Sequence, residues 1–109
     1  MAEVFYIKRG SRKYGIEYKL DTYQVGSGQL SGATARFRAM DENGTTVIDG
    51  AATIADADGI LRYAFGAGET DTARVLRGEF DITYSDGLLG TVPSRGFITI
   101  VIGDDVQPI

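Results

Sequence analysis

The residues able to do chemistry here are carboxylates, hydroxyls and cations, because the 109-residue chain contains neither histidine nor cysteine. Their absence removes the side chain that titrates near neutral pH, the thiolate nucleophile and the preferred zinc and copper ligands. Asp56-Ala57-Asp58-Gly59 has the look of an opening calcium loop, but an EF-hand requires glutamate at its twelfth position, and that position is Ala67. The four residues read instead as an Asp-Gly hairpin turn. Asp86 with Asp81 or Asp71 offers the carboxylate pair of glycoside hydrolysis. Asp81, however, falls on the polar side of an alternating run and Asp86 falls in a turn, which makes both solvated surface acids. Ser31 and Ser94 have no histidine to activate them. Gly26, Gly28 and Gly32 are followed by no Gly-Lys-Ser/Thr and open no helix, so they form no phosphate loop. No catalytic, cofactor-binding or metal-ligating residue is assigned, no cofactor is expected, and the chain is expected not to be an enzyme.

The cations are more concentrated than the acids. Lys8, Arg9, Arg12 and Lys13 surround a turn with Tyr6 and Tyr14 on its flanks, a mixture that binds phosphates and stacked bases in nucleic-acid proteins. No recognition module accompanies them, and the net charge is −4. Residues 1–38 hold seven basic and three acidic residues (+4), whereas residues 39–109 hold four and twelve (−8). The reading favoured over nucleic acid is contact with an acidic face of a neighbouring subunit, with homo-oligomerisation expected. Tyr14, Tyr18 and Tyr23 are the nearest thing to a sugar-binding platform, although Tyr18 also fits a core position.

The elements that must position these residues are short and alternate with period two. Val4–Lys8, Gly15–Leu20, Ala33–Met40, a return strand Thr45–Ile48 that continues as Ala51–Ile54, Ile60–Phe65, Arg77–Tyr84, a run ending at Val92-Pro93, and Gly96–Ile102 read as strands between Gly- and Asp-rich turns. Asn43-Gly44 predicts a type I′ hairpin turn, and Asp49-Gly50 predicts an interruption or bulge. Ala33, Ala35, Phe37 and Ala39 share one face, so aromatics of a facing sheet are expected to fill the space that the alanines leave. Gln24–Gly32 reads as a long loop, and residues 70–75 have room for one helical turn at most, capped by Thr70 or Asp71. Val4–Ile7 and Phe97–Ile102 are apolar on both faces, which marks either central strands or edges covered by a partner. Fifteen glycines and two prolines suit tight turns. The expectation is a single all-β domain over residues 1–109, an immunoglobulin-like antiparallel sandwich of seven to eight strands, with residues 103–109 a flexible tail. No secretory signal is visible at the start, and the longest apolar run is far short of the ~20 residues of a membrane span, so no membrane partner is expected.

Several stretches resemble a known family. Asp58-Gly59, Tyr63, Phe65, Asp71-Thr72, Gly78-Glu79-Phe80, Tyr84-Ser85-Asp86-Gly87, Val92-Pro93 and Gly96–Ile100, with Leu30–Phe37 upstream, are similar to the immunoglobulin-like N-terminal domains of tailed-bacteriophage baseplate upper proteins. The resemblance covers residues 30–102. It departs at Val75-Leu76-Arg77, where relatives often carry a corner tyrosine. It implies a non-enzymatic structural protein of the virion, made in the host bacterial cytoplasm. Such a protein binds other tail, baseplate or capsid proteins, as an adaptor or as a capsid decoration, and a chain complete at this length acts alone. The alternative on this fold is a carbohydrate- or cell-surface-binding module for host recognition.

Overall fold

A computed structural model describes residues 3–12, 15–20, 30–56, 59–93 and 96–103. Among them are eight strands and no helix: β1 (Glu3–Lys8), β2 (Ile16–Lys19), β3 (Thr34–Met40), β4 (Thr46–Asp56), β5 (Ile60–Tyr63), β6 (Arg74–Thr83), β7 (Leu89–Val92) and β8 (Ile98–Gly103). The all-β class and the strand number are those expected. Residues 67–72 form turns and bends, and β6 then starts at Arg74, earlier than the Gly-Glu-Phe pattern suggested.

The pairing order is β1-β8-β6-β3-β4-β5-β2, with β7 on the far half of β6. β4 belongs to two sheets. Its residues up to Ala52 pair with β3, and from Thr53 onward they pair with β5, so one strand carries the chain across the sandwich and curls the path toward a barrel. Among the described residues every pairing is antiparallel except one: β1 runs parallel to β8, with Phe5 opposite Ile100 and Tyr6 opposite Val101. The sheet is therefore mixed rather than purely antiparallel. β8, apolar on both faces, is an internal strand between β1 and β6, whereas β1 is an edge.

The core follows from alternation. β3 buries Ala35, Phe37 and Ala39, β6 buries Leu76, Phe80 and Ile82, and β8 buries Ile98, Ile100 and Ile102. Facing them are Ile16, Leu61 and Tyr63. The space beside the alanines is filled as expected: Phe37 stacks on Tyr63 with ring centroids 4.9 Å apart and meets Phe80 at 4.8 Å. Gly78 is glycine for a packing reason, since a Cβ there would collide with the Phe37 ring. Each large apolar side chain so buried contributes roughly 1.5–3 kcal/mol.

Two turn expectations are corrected. The residues at Asp41–Gly44 do not form a type I′ turn, because Asn43 keeps a negative φ and Gly44 alone is left-handed, at +81°. Gly44 N–H donates to Asp41 C=O at 3.1 Å and Asp41 N–H to Thr45 C=O at 2.9 Å, the three-residue loop with a glycine bulge. The Asp41 carboxylate selects it by accepting from the Asn43 and Thr45 N–H groups at 2.9 and 3.0 Å. Asp49-Gly50, in turn, does not interrupt β4. Gly50 lies under the Tyr63 ring, where a Cβ would come within 3.1 Å, so its smallness serves packing. Gly103, assigned to the tail, instead ends β8 and accepts a hydrogen bond from Arg9 N–H at 2.7 Å. The remainder of that tail, residues 104–109, and most of the Gln24–Gly32 loop lie outside the described residues.

Candidate functional site

β1 sits at one end of the pairing order, and among the described residues no strand pairs with its outer side. Alternation sends Ile7 into the core and Phe5 against the Phe65 ring (6.1 Å), leaving Val4 and Tyr6 on the outer face. Tyr6 is 74% exposed and Val4 50%. The register continues this face inward: Tyr6 neighbours Val101 on β8, and Val101 neighbours Val75 on β6. A second row runs Val4, Thr99, Arg77, with the Arg77 guanidinium 5.5 Å above the Phe97 ring. Beside them is a shallow depression of about 270 Å³ lined by Tyr6, Ile7, Lys8, Val101 and Gly103.

The backbone of β1 has a polarity of its own. Arg9 N–H points at Gly103 on β8, so by the two-residue repeat Phe5 and Ile7 also turn their backbone groups toward β8. Val4 and Tyr6 turn theirs toward the open side. An apolar, exposed side-chain row thus stands directly over an edge that offers main-chain donors and acceptors.

Farther along the same face the character changes. Arg38 Nε meets Asp81 at 2.6 Å and Arg38 Nη2 lies 3.7 Å from Glu79, Arg36 pairs with Asp49, and the Thr91 hydroxyl donates to Asp81 at 2.9 Å. The hydrogen bond and charge of Asp81 hold the Arg38 guanidinium even more basic than usual. Ion pairs this exposed contribute about 0–1 kcal/mol each and mark a solvated area. At the far end, the β6–β7 hairpin turn leaves Leu88 and Leu89 exposed, at 67% and 79%.

The residues singled out from sequence do not converge. Asp81 is taken by Arg38 and Thr91, Asp86 accepts from Leu88 N–H at 3.0 Å within its own turn, and Asp71 lies in the bend before β6. Asp56 and Gly59 close the expected turn, Gly59 N–H donating to Asp56 C=O at 3.0 Å, while Ala57 and Asp58 lie outside the described residues. Among the described residues no three His, Cys, Asp or Glu side chains come together as a metal site. The basic loop is fastened to the body: Gly10 N–H donates to Thr70 C=O at 2.8 Å, the buried Thr70 hydroxyl donates to Ser11 C=O at 3.0 Å, and Arg12 Nε donates to Phe65 C=O at 3.3 Å. Thr70 caps no helix; it holds this loop. Ser31 is an exposed turn residue and Gly32 adopts a left-handed φ of +77° in the same turn. Lys13, Tyr14, Tyr23, Gly26, Gly28 and Ser94 lie outside the described residues, and Tyr18 packs against the core.

Sequence reasoning passed over Val75, Leu88 and Leu89. The Leu-Leu pair directly after Asp86-Gly87 was a usable signal, because a turn seldom buries two consecutive leucines. It also passed over the Tyr63–Glu69 pair. The Tyr63 hydroxyl donates to Glu69 at 2.6 Å, and the same carboxylate oxygen accepts from Gly66 N–H at 2.6 Å. Burial first, and then the hydrogen bond and charge of Glu69, push the Tyr63 phenol well above the ordinary range.

No family model matches the chain, and no curated protein matches it. Among solved structures it is similar to CopC from Methylosinus trichosporium OB3b, with a TM-score of 0.58 over 100% of this chain and 91% of that one, at 14% identity. The fold is thus shared with a bacterial CopC chain. That finding overturns the expected role as a tailed-phage virion protein of the tail, baseplate or capsid surface. Of the aromatic platform read for the carbohydrate-binding alternative, Tyr18 is half-buried against the core, and Tyr14 and Tyr23 lie outside the described residues.

Proposed function

We propose that this domain acts by binding protein rather than by turning over a substrate, and that its binding surface is the open edge of β1 with the apolar rows beside it. The observation that carries this reading is the Tyr6 side chain, 74% exposed on a strand whose outward backbone at Val4 and Tyr6 pairs with no other strand among the described residues. An extended segment of a partner adds there as a further strand, main-chain hydrogen bonds giving affinity and the depression at Tyr6, Ile7 and Val101 giving selectivity. The lack of histidine and cysteine, and the dispersal of the carboxylates into separate ion pairs and turns, support the non-catalytic half of the proposal. The likeness to CopC brings the fold alone. Of the soft-metal donors, the 109 residues hold no thiolate or imidazole, only the thioethers of Met1 and Met40.

Photo-crosslinking tests the surface. A benzophenone side chain at position 4 or 6 is expected to capture protein in the producing cell, whereas the same group at Thr46 or Ala51, outward on β4, is expected to capture little. Equal labelling from both places, or labelling from β4 alone, contradicts the assignment.

A further inference from the structure

We infer that the occupant of the β1 edge is a second copy of this chain, paired antiparallel through β1 about a twofold axis at Tyr6. This rests on the reading of β1 as the binding edge and adds the partner. The argument is one of parity. In an antiparallel pair, residues that exchange main-chain hydrogen bonds must both turn their backbone groups toward the partner, and opposite residues share a face. On β1 the positions that turn toward the open side, Val4 and Tyr6, are also those on the outer face. A register with Tyr6 opposite Tyr6 of the second copy meets both requirements together. It sets Phe5 opposite Ile7, so the two cores continue side by side, and Val4 opposite the aliphatic stem of Lys8. The exposed Tyr6 and Val4 side chains cover one another across the axis, and the β1–β8 sheet runs on unbroken from one copy to the next.

Charge selects the same direction. In the antiparallel register acidic position 3 stands opposite basic position 9 at both ends, and the two Lys8 residues lie about 14 Å apart, four residues at ~3.4 Å each. That separation exceeds the screening length of about 8 Å at physiological salt. A parallel pairing would stack Lys8 on Lys8 and Arg9 on Arg9. An interface closed by a twofold axis also stops at two copies and uses up the open side of β1 in both.

Sedimentation equilibrium over a concentration series, with hydrogen exchange on the same samples, tests the inference. The expected result is a mass rising to twice the monomer value, with the Val4 and Tyr6 amides gaining protection as concentration rises while those of Phe5 and Ile7 are protected throughout. Tyr6→Pro removes the central outward N–H and leaves the β8-facing ones in place, so the variant is expected to keep the wild-type circular dichroism and remain monomeric. Val4→Lys sets like charges against Lys8 twice and is expected to weaken the dimer roughly tenfold, more at low salt. A wild-type chain that stays monomeric throughout overturns self-pairing, while crosslinking from position 6 to a different protein would leave the binding-edge reading standing. A dimer of undiminished strength in both variants places the interface elsewhere and overturns it as well.

Discussion

Tyr63 joins two kinds of interaction in one side chain: its ring stacks on Phe37 and meets the edge of Phe65 at 5.8 Å, and its hydroxyl donates to Glu69. Tyr63→Phe keeps the rings and deletes the bond. A hydrogen bond to a charged acceptor is worth about 1.5–3 kcal/mol, and Glu69 retains Gly66 N–H, so a loss near ~1.5 kcal/mol is expected in a urea titration. Glu69→Gln keeps an acceptor and is expected to lose less. The phenol also predicts an alkaline limit. Its folded value lies above the unfolded value of about 10, so its contribution is complete below that pH and declines as pH rises past it. Denaturation midpoints measured on both sides of this pH are expected to fall less steeply for Tyr63→Phe than for the wild type. An equal slope in the two proteins contradicts the assignment.

Among the elements, β3 and β6 fit because a small residue of one receives a large residue of the other. Gly78→Ala drives a methyl into the Phe37 ring, and overpacking of this kind costs about 1–3 kcal/mol, readable as a lowered Tm with the circular dichroism spectrum unchanged. On the outside of the same strands the opposite holds. Asp49→Asn removes the half-exposed partner of Arg36 and is expected to cost under ~1 kcal/mol, less still at high salt. The strands themselves were legible in the sequence, since period-two alternation and Asp-Gly or Asn-Gly turns are local signals; β3 shows this best, its Ala-Phe-Ala face lying in the core as read. What was not legible depends on partners distant in sequence. Nothing local distinguishes Gly50 under a tyrosine ring from Gly50 in a turn, and nothing in Val4–Ile7 says that its neighbour is the last strand, in parallel. The binding edge was visible only as a run apolar on both faces. The bias of exposure toward Tyr6 and Val4 required the register with β8.

For the molecule as a whole, β4 is the tie. One strand that pairs with β3 at its start and β5 at its end leaves neither sheet able to open without breaking the other, so far-ultraviolet and tyrosine near-ultraviolet signals are expected to be lost in a single coincident transition. Separate midpoints would mean that the sheets come apart independently. The parallel placement of β1 on β8 has a mechanical corollary. These are the first and last strands among the described residues, and because they run the same way, tension entering through the two ends of that region slides one along the other. Their ladder is then loaded all together, as in a lap joint, whereas an antiparallel pair would open rung by rung like a peeled strip. A domain stretched from its ends should therefore yield abruptly, at a force well above that of the same domain gripped across the β6–β7 hairpin.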